Sequence, residues 1–487
     1  MLRIKRLATL LLLTLVLTTA AWAKQKEVNI VATNDMHANI DAFPQLGAIV
    51  DSLRAIDPSL LVFSAGDNRT GNPINDMYSI PSYPVTALMN QIGYNGSALG
   101  NHEFDLGSLP TTIGLSNFRY ICANIHADDS TGVRTVPYQV FDVEGVKVGV
   151  IGVIQVNLMG RPDTHPDNLA GITFQKPEEV VPQYEFLRRE CDVVILLSHA
   201  GYDEDKRLAD RFPWIDLIIG GHTHTQLTSD EPLRNGVLIT QNQNDLSTAT
   251  HITLTVDSGR VISKKADYIS VKKYPKKNEL VNDIIQMLND NPFFSRVLAQ
   301  AETPFTSREK LGYLVCDALR TEADADIAIF NRKGVRMTYL PEGDITMRNV
   351  LQIDPFGNNT ILISMSGRDF LDFLVQYSRM ERDHFPHLSG IHAELTLDDK
   401  DTLLINGITL YGEDGQEFDL HRDYIVATNS YITAVAKSLE YEKLVTINSL
   451  TSDLLVRYLH RKRKVNYQDV QRIFLKYGDE ESSFTKY

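Results

Sequence analysis

Short apolar runs alternate with amphipathic stretches over the first half of the chain. Five continuous apolar runs bounded by polar residues predict buried strands. These runs read VNIVAT, LLVFSAG, VKVGVIGVI, DVVILLSHA and DLIIGGH. Apolar residues at helical spacing in FPQLGAIVDSLRAID and PEEVVPQYEFLRREC predict amphipathic helices. The alternating segment HITLTVDSGRVISKKADYISV contains Asp-Ser-Gly and predicts a β-hairpin. This part of the chain is therefore predicted to be an α/β domain, with helices flanking a sheet.

The pattern changes at KKYPKKNELVNDIIQMLNDNP, which is basic and polar and contains one helical stretch between Pro275 and Pro292. We predict an interdomain linker helix in residues 272–300, between a first domain at 24–271 and a second at 301–487. In the second domain, SREKLGYLVCDALRTEA predicts a helix and ADIAIFN a strand, and HAELTLDDKDTLLINGITLYG predicts paired strands.

The N-terminus has the pattern of a signal peptide. MLRIKR is basic, LATLLLLTLVLTT is apolar, and Ala21-Trp22-Ala23 fits a small-x-small cleavage site. The apolar stretch is short for a membrane-spanning helix, and no later stretch is long and apolar enough to span. We therefore predict cleavage near Ala23, removal of residues 1–23, and an exported protein, periplasmic or secreted, with no membrane span in the mature chain.

The chain is acidic, with a formal net charge of −14. Such a surface repels nucleic-acid backbones, which argues against a nucleic-acid polymer as partner. An anionic substrate would need a local positive centre. The three cysteines are too few for a disulfide scaffold, and free, buried thiols are predicted. The sequence predicts no particular oligomeric state.

Five motifs place acids, amides or imidazoles directly after predicted strands. Open α/β sheets position their functional sites at these strand ends, and packing gives no reason for the pattern to recur five times. The residues are Asp35 and His37, then Asp67, then Asn101, His102 and Asp105, then His199, and finally His222 and His224.

His222 and His224 belong to the motif GGHTHT, which follows an apolar run. In a strand, residues two apart point to the same side, so the two imidazoles would share one side at the strand's mouth. Two solvated histidines in a turn are the alternative that this motif alone leaves open.

Seven of the nine residues form a donor set of mixed oxygen and nitrogen character, suited to two first-row divalent ions such as Zn²⁺ or Mn²⁺. No cysteine takes part, and four histidines disfavour Ca²⁺. Two such ions acidify a shared water and hold the oxygens of an in-line displacement, which predicts phosphate-ester hydrolysis. His102 and Asp105 are predicted to lie outside the coordination sphere and to assist the leaving group or stabilise the transition state.

The five motifs resemble those of the calcineurin-like metallophosphoesterases, and the whole chain resembles the bacterial 5′-nucleotidase and UDP-sugar hydrolase family. The resemblance implies a four-layer αββα sandwich followed by a smaller α+β substrate-binding domain. It also implies that two metal ions share Asp67 as a bridging ligand, with His102 and Asp105 as the catalytic dyad. One ion would be held by Asp35, His37, Asp67 and His224, and the other by Asp67, Asn101, His199 and His222.

In the second domain the resemblance rests on NRKGVR, PFGN and VATNSY. It implies that Phe356 and Tyr431 clamp a nucleotide base, with Asn331, Arg336 and Asn358 nearby. Two glycines of the family's loop are replaced by Arg332 and Lys333. The family's Gly-Gly-Asp-Gly, whose Asp binds ribose hydroxyls, is replaced by residues of ITAVAKSLEY.

The leading hypothesis is an exported two-metal phosphohydrolase that releases phosphate from nucleoside 5′-monophosphates by attack of a metal-bound hydroxide. A 2′,3′-cyclic nucleotide phosphodiesterase and a nucleotide-sugar pyrophosphatase are alternatives on the same scaffold. An exported protein that binds nucleotides without catalysis is the alternative from another class. The joint presence of all seven ligands and His102 favours the enzymes.

Overall fold

The structure is a computed structural model that describes residues 25–380, 385–398, 405–436 and 443–477. The predicted signal peptide, residues 1–23, lies outside the described residues. Within the described part of the chain, no helix combines the length and the apolar character needed to cross a membrane. Cys122, Cys191 and Cys316 are free and buried, as predicted.

The first domain is built on two sheets. One has six strands in the order β13-β12-β1-β2-β3-β4, and the other has five in the order β11-β10-β9-β7-β6, while β5 pairs with β8. The strands are β1 (Lys26–Thr33), β2 (Leu61–Ser64), β3 (Gly96–Ala98), β4 (Arg119–Ile121), β5 (Ile125–Ala127), β6 (Tyr138–Val143), β7 (Val146–Ile154), β8 (Ile172–Phe174), β9 (Val193–His199), β10 (Leu217–Gly220), β11 (Leu238–Thr240), β12 (Thr248–Asp257) and β13 (Arg260–Ser270).

Helices cover the outer faces of both sheets. The α-helices are Phe43–Arg54, Pro73–Asp76, Tyr83–Ile92, Leu109–Leu115, Pro177–Val180, Leu187–Glu190 and Tyr202–Arg211. Between the sheets, side chains such as Ile30 and Phe63 pack against Val150 and Ile195. Separate apolar clusters join each sheet to its helices. The predicted αββα sandwich is therefore confirmed, because each sheet buries both faces.

The predicted hairpin is present, whereas one of the predicted helices is not continuous. The hairpin β12–β13 turns at Ser258 and Gly259, both with positive φ, as the Asp-Ser-Gly signal predicted. The prediction of one helix over PEEVVPQYEFLRREC is wrong, because two short α-helices flank the 3-10 turn Val181–Tyr184. Pro182 has no N–H to donate, and its ring clashes with the preceding helical turn, so a continuous helix is disfavoured.

The segment predicted as a linker contains the helix Glu279–Asn289. Its buried Val281 and Ile285 join the apolar cluster around the helix Phe43–Arg54. Asn278 caps this helix, and its Nδ2 donates to Asp51 of the first domain at 2.7 Å. The helix is thus part of the first domain's outer layer rather than a free tether.

The second domain is a mixed α+β unit. Its strands form sheets in the orders β16-β14-β23, β18-β15-β21-β17-β22 and β20-β19-β24. The strands are β14 (Val297–Ala301), β15 (Ile327–Phe330), β16 (Gly343–Thr346), β17 (Asn359–Ser366), β18 (His387–Ser389), β19 (Ile391–Leu397), β20 (Ile405–Gly412), β21 (Asp423–Asn429), β22 (Lys443–Leu450), β23 (Lys464–Val465) and β24 (Ile473–Tyr477). The α-helices are Pro292–Ser295, Arg308–Glu322, Met347–Ile353, Gly367–Met380, Ser430–Val435 and Thr451–Lys462.

Both faces of the central sheet of this domain are buried, because successive side chains of a strand point to opposite faces. Ala328 and Phe330 pack toward the helix Arg308–Glu322, whereas Ile327 and Ile329 face the opposite cluster, which includes Phe370. Strand β14 already pairs with β16 and β23. This unit therefore begins a few residues before the predicted position 301.

Candidate active site

The predicted ligands converge because they follow neighbouring parallel strands. Strands β1, β2 and β3 are parallel neighbours in one sheet, and β9 and β10 are parallel neighbours in the other. The carboxyl ends of parallel neighbours meet at one edge of a sheet. Their loops therefore bring all five motifs to one place between the two sheets.

One group of donor atoms surrounds His224. Its Nε2 lies 3.2 Å from His37 Nε2 and 3.3 Å from Asp35 Oδ1. Asp35 and His37 are buried, and His37 Nδ1 has no hydrogen-bond partner. Two imidazole nitrogens and a carboxylate oxygen that face one another at these distances form a group able to hold a cation.

A second group surrounds His199. Its Nε2 lies 3.2 Å from Asp67 Oδ2, 3.3 Å from Asn101 Oδ1 and 4.0 Å from Asp35 Oδ1. Asn101 Oδ1 is also 3.0 Å from His222 Nδ1. The opposite ring nitrogen of His199 donates to the carbonyl of Ala65 at 2.7 Å, which leaves Nε2 directed at the site.

This chemistry fits divalent metal ions. Asp35, Asp67 and His199 are almost wholly buried and carry donor atoms within 4.8 Å of one another. Buried carboxylates at such a distance are unfavourable unless positive charge compensates them. All seven predicted ligands belong to these two connected groups.

The backbone at the site is strained. Five of the seven predicted ligands have positive φ, namely Asp35 (47°), His37 (46°), Asp67 (52°), His222 (76°) and His224 (56°). Each such non-glycine residue costs about 1–3 kcal/mol and persists only where its surroundings enforce it. The strain aims these side chains inward.

This conformation corrects the strand argument for His222 and His224. Strand β10 ends at Gly220, so both histidines lie in the following loop. They reach different donor groups, His222 beside Asn101 and His224 beside Asp35. The backbone N–H of His222 also donates to Asp35 Oδ2 at 3.0 Å. Their role in the site comes from the left-handed loop, not from strand periodicity.

Charge coupling at the site favours loss of protons upon metal binding. Burial lowers the pKa of His199, but Asp67, Asp35 and Glu103 together outweigh burial and raise that pKa to about 10. Burial and the nearby His199 lower the pKa of His222 to about 4. A metal ion binds the neutral imidazole, so the proton on His199 must leave first and metal affinity should rise with pH.

His102 and Asp105 form a hydrogen-bonded pair beside the metal ligands. His102 Nδ1 lies 2.7 Å from Asp105 Oδ2, and Thr164 Oγ1 donates to Asp105 Oδ1 at 3.1 Å. Burial lowers the pKa of His102, but Asp67 and Asp105 outweigh it and raise that pKa. With Nδ1 held by Asp105, Nε2 faces the site, 3.9 Å from Asp67 Oδ2.

Three supporting residues were not predicted. Glu103 accepts backbone N–H groups from Asp67 at 2.9 Å and Gly100 at 2.6 Å, which ties two ligand loops together. The buried Arg69 donates to the carbonyl of Asp105 at 2.8 Å. Asp163 Oδ2 lies 3.8 Å from His222 Nε2. Arg69 and Glu103 stand within the motifs GDNRTG and GNHEFD, whereas no sequence signal marks Asp163.

Gly100 permits the close approach of these loops. A Cβ atom at this position would lie 2.2 Å from Asp67 Oδ1. That oxygen accepts the backbone N–H of His102 at 2.8 Å. A side chain at Gly100 would therefore displace the carboxylate that links the two donor groups.

The three motifs of the second domain also meet at one sheet edge. Strands β15 and β21 are parallel, and β17 runs antiparallel to β21, so the end of β15, the end of β21 and the start of β17 are adjacent. Asn429 Nδ2 donates to Asn331 Oδ1 at 2.7 Å, and Ser430 Oγ donates to Asn358 Oδ1 at 3.1 Å. These contacts fix the loop that carries Phe356 and the start of the helix Ser430–Val435, which carries Tyr431.

A cavity of about 340 Å³ joins the two domains. The Phe356 ring stacks on His102 with centroids 5.7 Å apart and planes at 25°. Of the predicted site residues, the lining includes Asp67, Asn101, His102, Asp105, His222, His224, Asn331, Arg336, Phe356, Asn358 and Tyr431. The more deeply buried Asp35, His37 and His199 lie behind this lining, against the other ligands.

Two family models match the chain. Residues 28–226 match the calcineurin-like phosphoesterase model, and residues 289–440 match the 5′-nucleotidase C-terminal domain model. A 5′-nucleotidase of Vibrio cholerae is 28% identical over 428 residues, covering 72% of this chain and 75% of that protein. The protein UshA of Yersinia enterocolitica is 24% identical over 531 residues, covering 93% and 94%.

Among solved structures, a 5′-nucleotidase precursor from Thermus thermophilus superimposes with a TM-score of 0.81. It is 24% identical, and the match covers 92% of this chain and 99% of that chain. The first domain thus defines a calcineurin-like metallophosphoesterase, a metal-dependent phosphoric monoester hydrolase. With its second domain, the chain belongs to the 5′-nucleotidase family.

Proposed function

We propose that this enzyme is exported and releases phosphate from nucleoside 5′-monophosphates at a two-metal site. The observation that carries the proposal is the shared cavity, whose wall combines metal-ligand side chains of the first domain with aromatic side chains of the second. Its volume of about 340 Å³ lies within the range of small-molecule sites. The 5′-nucleotidases among the relatives support the same substrate class.

The seven ligands would divide between two ions as the resemblance implies. Asp35, His37, Asp67 and His224 would hold one, and Asp67, Asn101, His199 and His222 the other. When bound, two divalent ions supply a water of lowered pKa and positive charge that polarises the phosphate. The ions would also provide the local positive centre that a chain of charge −14 needs to attract an anion.

The dyad would act on the leaving oxygen. Asp105 and Thr164 fix the orientation of the His102 ring, so that Nε2 faces the cavity. Asp67 and Asp105 raise the pKa of His102 against its burial, which favours a proton on the ring. His102 is therefore suited to donate a proton to the departing nucleoside oxygen, or to stabilise charge as that bond breaks.

The second domain would hold the nucleoside. Phe356 lines the cavity from a loop and Tyr431 from the helix Ser430–Val435, and each would offer a π face to a base. Asn331, Arg336 and Asn358 line the same wall and supply polar contacts. The Phe356 ring already lies against His102, which places a stacked base close to the reacting phosphate.

Substrate consumption and products, identified by chromatography alongside phosphate release, test the proposal across substrate classes, because cleavage of a cyclic nucleotide or of a nucleotide sugar does not by itself release phosphate. With Mn²⁺ or Zn²⁺, AMP and UMP are expected to be hydrolysed with higher kcat/KM than 2′,3′-cyclic AMP, UDP-glucose or p-nitrophenyl phosphate. A higher kcat/KM for the cyclic nucleotide or the nucleotide sugar would replace the proposed activity with that alternative. A KM for AMP that is no lower than the KM for p-nitrophenyl phosphate would contradict base recognition. Export is tested separately, by recovery from cell fractions of a mature chain that begins near Lys24.

Phe356→Ala and Tyr431→Ala are expected to weaken nucleotide binding. Stacking contributes about 1–3 kcal/mol per base, so the KM for AMP should rise from about 5-fold to more than 100-fold. Hydrolysis of p-nitrophenyl phosphate should fall far less, because it has no base to stack. Steady-state kinetics on both substrates measure the difference.

Tyr339→Ala is the matched control for the two aromatic variants. Tyr339 is an exposed aromatic residue of the same domain, and it does not line the cavity. Equal losses on AMP and p-nitrophenyl phosphate would mean that Phe356 and Tyr431 maintain the fold. Unchanged kinetics on both substrates would mean that no base clamp exists at this position.

A further inference from the structure

The two walls of the cavity carry opposite charge. Every carboxylate in the lining comes from the first domain, namely Asp67, Asp105, Asp163 and Asp167. Among the described residues of the second domain, the lining contains three cations and no carboxylate. These cations are Arg332, Lys333 and Arg336.

The three cations lack ion-pair partners. Within the described residues, no carboxylate lies at ion-pair distance from Arg332, Lys333 or Arg336. Among the described residues, the buried Nε of Arg308 has no hydrogen-bond partner. Burial, Arg336 and Arg332 together lower the pKa of Arg308, so these like charges repel one another. Arg332 and Arg336 are half-buried and Lys333 is exposed, so their charges are accessible to an anion that enters the cavity.

The cations line different spaces. Arg336 lines the substrate cavity, as does His224 of the first donor group. Lys333 lines the same cavity, as do Asp163 and His222 beside the second donor group. Lys333 and Tyr431 also line an adjoining cleft of about 1000 Å³. Lys333 therefore stands where the substrate cavity opens into a larger space.

The loop that presents Arg332 and Lys333 is fixed in shape. It is a single 3-10 turn, Arg332–Gly334, that follows Asn331 at the end of β15. Asn331 is anchored by Asn429 Nδ2 at 2.7 Å. A Cβ atom on Gly334 would lie 2.5 Å from Asn331 Oδ1, so the turn is tightly packed. Two cations on such a support are preorganised for an anionic ligand.

We propose that Arg332 and Lys333 form a subsite for a second phosphate group of the substrate. This inference rests on the proposed nucleotidase function, in which the metal ions and Arg336 neutralise the scissile phosphate. A nucleoside monophosphate has no further anionic group to engage Arg332 and Lys333. The substrates served best would be nucleotides with two phosphates, the second carried either by the ribose or by the phosphate chain.

A comparison of kcat/KM for three nucleotides tests the subsite. The kcat/KM values for AMP, ADP and adenosine 3′,5′-bisphosphate are measured on the metal-loaded full chain, and chromatography identifies which phosphate leaves. At least one two-phosphate nucleotide is expected to exceed AMP by about 10-fold, the effect of one hydrogen bond to a charged group. In Arg332→Gln and Lys333→Gln this preference should fall toward unity.

The variants also separate the two sources of the second phosphate. A loss of preference confined to the bisphosphate places the subsite at the ribose, and a loss confined to ADP places it along the phosphate chain. Lys462→Gln, which changes an exposed lysine outside the cavity lining, is the charge control and should keep the wild-type preference. Melting temperatures of all variants establish that they remain folded.

Two outcomes would overturn the subsite. One is a wild-type enzyme that prefers AMP to both two-phosphate nucleotides. The other is a pair of variants that lose the same factor on AMP as on the other nucleotides, because the cations would then serve the scissile phosphate. Failure of the proposed nucleotidase function looks different, since p-nitrophenyl phosphate would be hydrolysed while all three nucleotides were not.

Discussion

Asp67→Ala is expected to remove both metal ions and to lower kcat by at least about 10³-fold. Asp67 Oδ2 lies 3.2 Å from His199 Nε2, and the same carboxylate also lies within 4.8 Å of ligand atoms of His37. Asp67 therefore lies near both donor groups, as Asp35 also does, and we propose Asp67 as the bridging ligand because the family resemblance implies it. Two bound ions contribute several kcal/mol of transition-state stabilisation, and each 1.36 kcal/mol corresponds to about tenfold in rate.

Elemental analysis of the purified variants measures metal content, and phosphate release from AMP measures turnover. His224→Ala should weaken only one ion, since His224 contacts the Asp35 and His37 group. Asp167→Ala removes an exposed carboxylate of the same cavity and should keep both ions. Asp67→Asn is the conservative variant for the case in which Asp67→Ala does not fold. Its amide oxygen can still accept the backbone N–H of His102. A folded Asp67→Ala protein with two ions and wild-type turnover would contradict the assignment.

The sandwich of the first domain could be predicted because its strands are buried on both faces. A strand with no solvent-exposed face reads as a continuous apolar run, as VKVGVIGVI and DVVILLSHA do. The convergence of the five motifs followed from the same pattern, because the ends of parallel strands meet. The hairpin β12–β13 was predictable for a local reason, the turn chemistry of Ser258 and Gly259.

The geometry within the loops could not be predicted in the same way. Left-handed conformations at Asp35 and His224 are imposed by tertiary contacts, since neither residue prefers positive φ strongly enough to set it alone. Asp163 lies in an irregular loop, and only the fold brings its carboxylate to His222. The basic and polar residues that flank the helix Glu279–Asn289 led to the prediction of a linker. The helix nevertheless packs on the first domain through a narrow apolar stripe that contains Val281 and Ile285.

Unpaired charge is likewise a property of the folded chain. The sequence identified Arg332 and Lys333 only as replacements in a glycine-rich loop. The absence of a carboxylate partner among the described residues around them depends on how strands β15 and β21 orient that loop toward the first domain. The acidic composition of the chain gives no hint of a cationic wall, because net charge does not report local distribution.

His102→Ala is expected to lower kcat for AMP by about 10²–10⁴-fold while metal content stays unchanged. The imidazole lies beside the ligands, but its Nδ1 is bound to Asp105 at 2.7 Å, and its ring stacks on Phe356. These contacts suit a group that meets the substrate rather than one that holds an ion. Asp105→Asn should cause a smaller loss, because the ring remains and only its orientation and charge are weakened.

Metal content decides between this role and the competing one. His102 Nε2 lies 3.9 Å from Asp67 Oδ2, and His37, Asp67 and His102 together have donor atoms close enough to hold an ion. If His102→Ala loses an ion, the ring is a ligand and the division of the site between ligands and dyad is wrong. His165→Ala removes another imidazole that lines the cavity and is expected to change neither metal content nor kcat.

The leaving group of the substrate gives a second test of the role of His102. The p-nitrophenolate ion departs without a proton, so His102→Ala should slow p-nitrophenyl phosphate much less than AMP if His102 is the general acid, and equally if it stabilises phosphate charge.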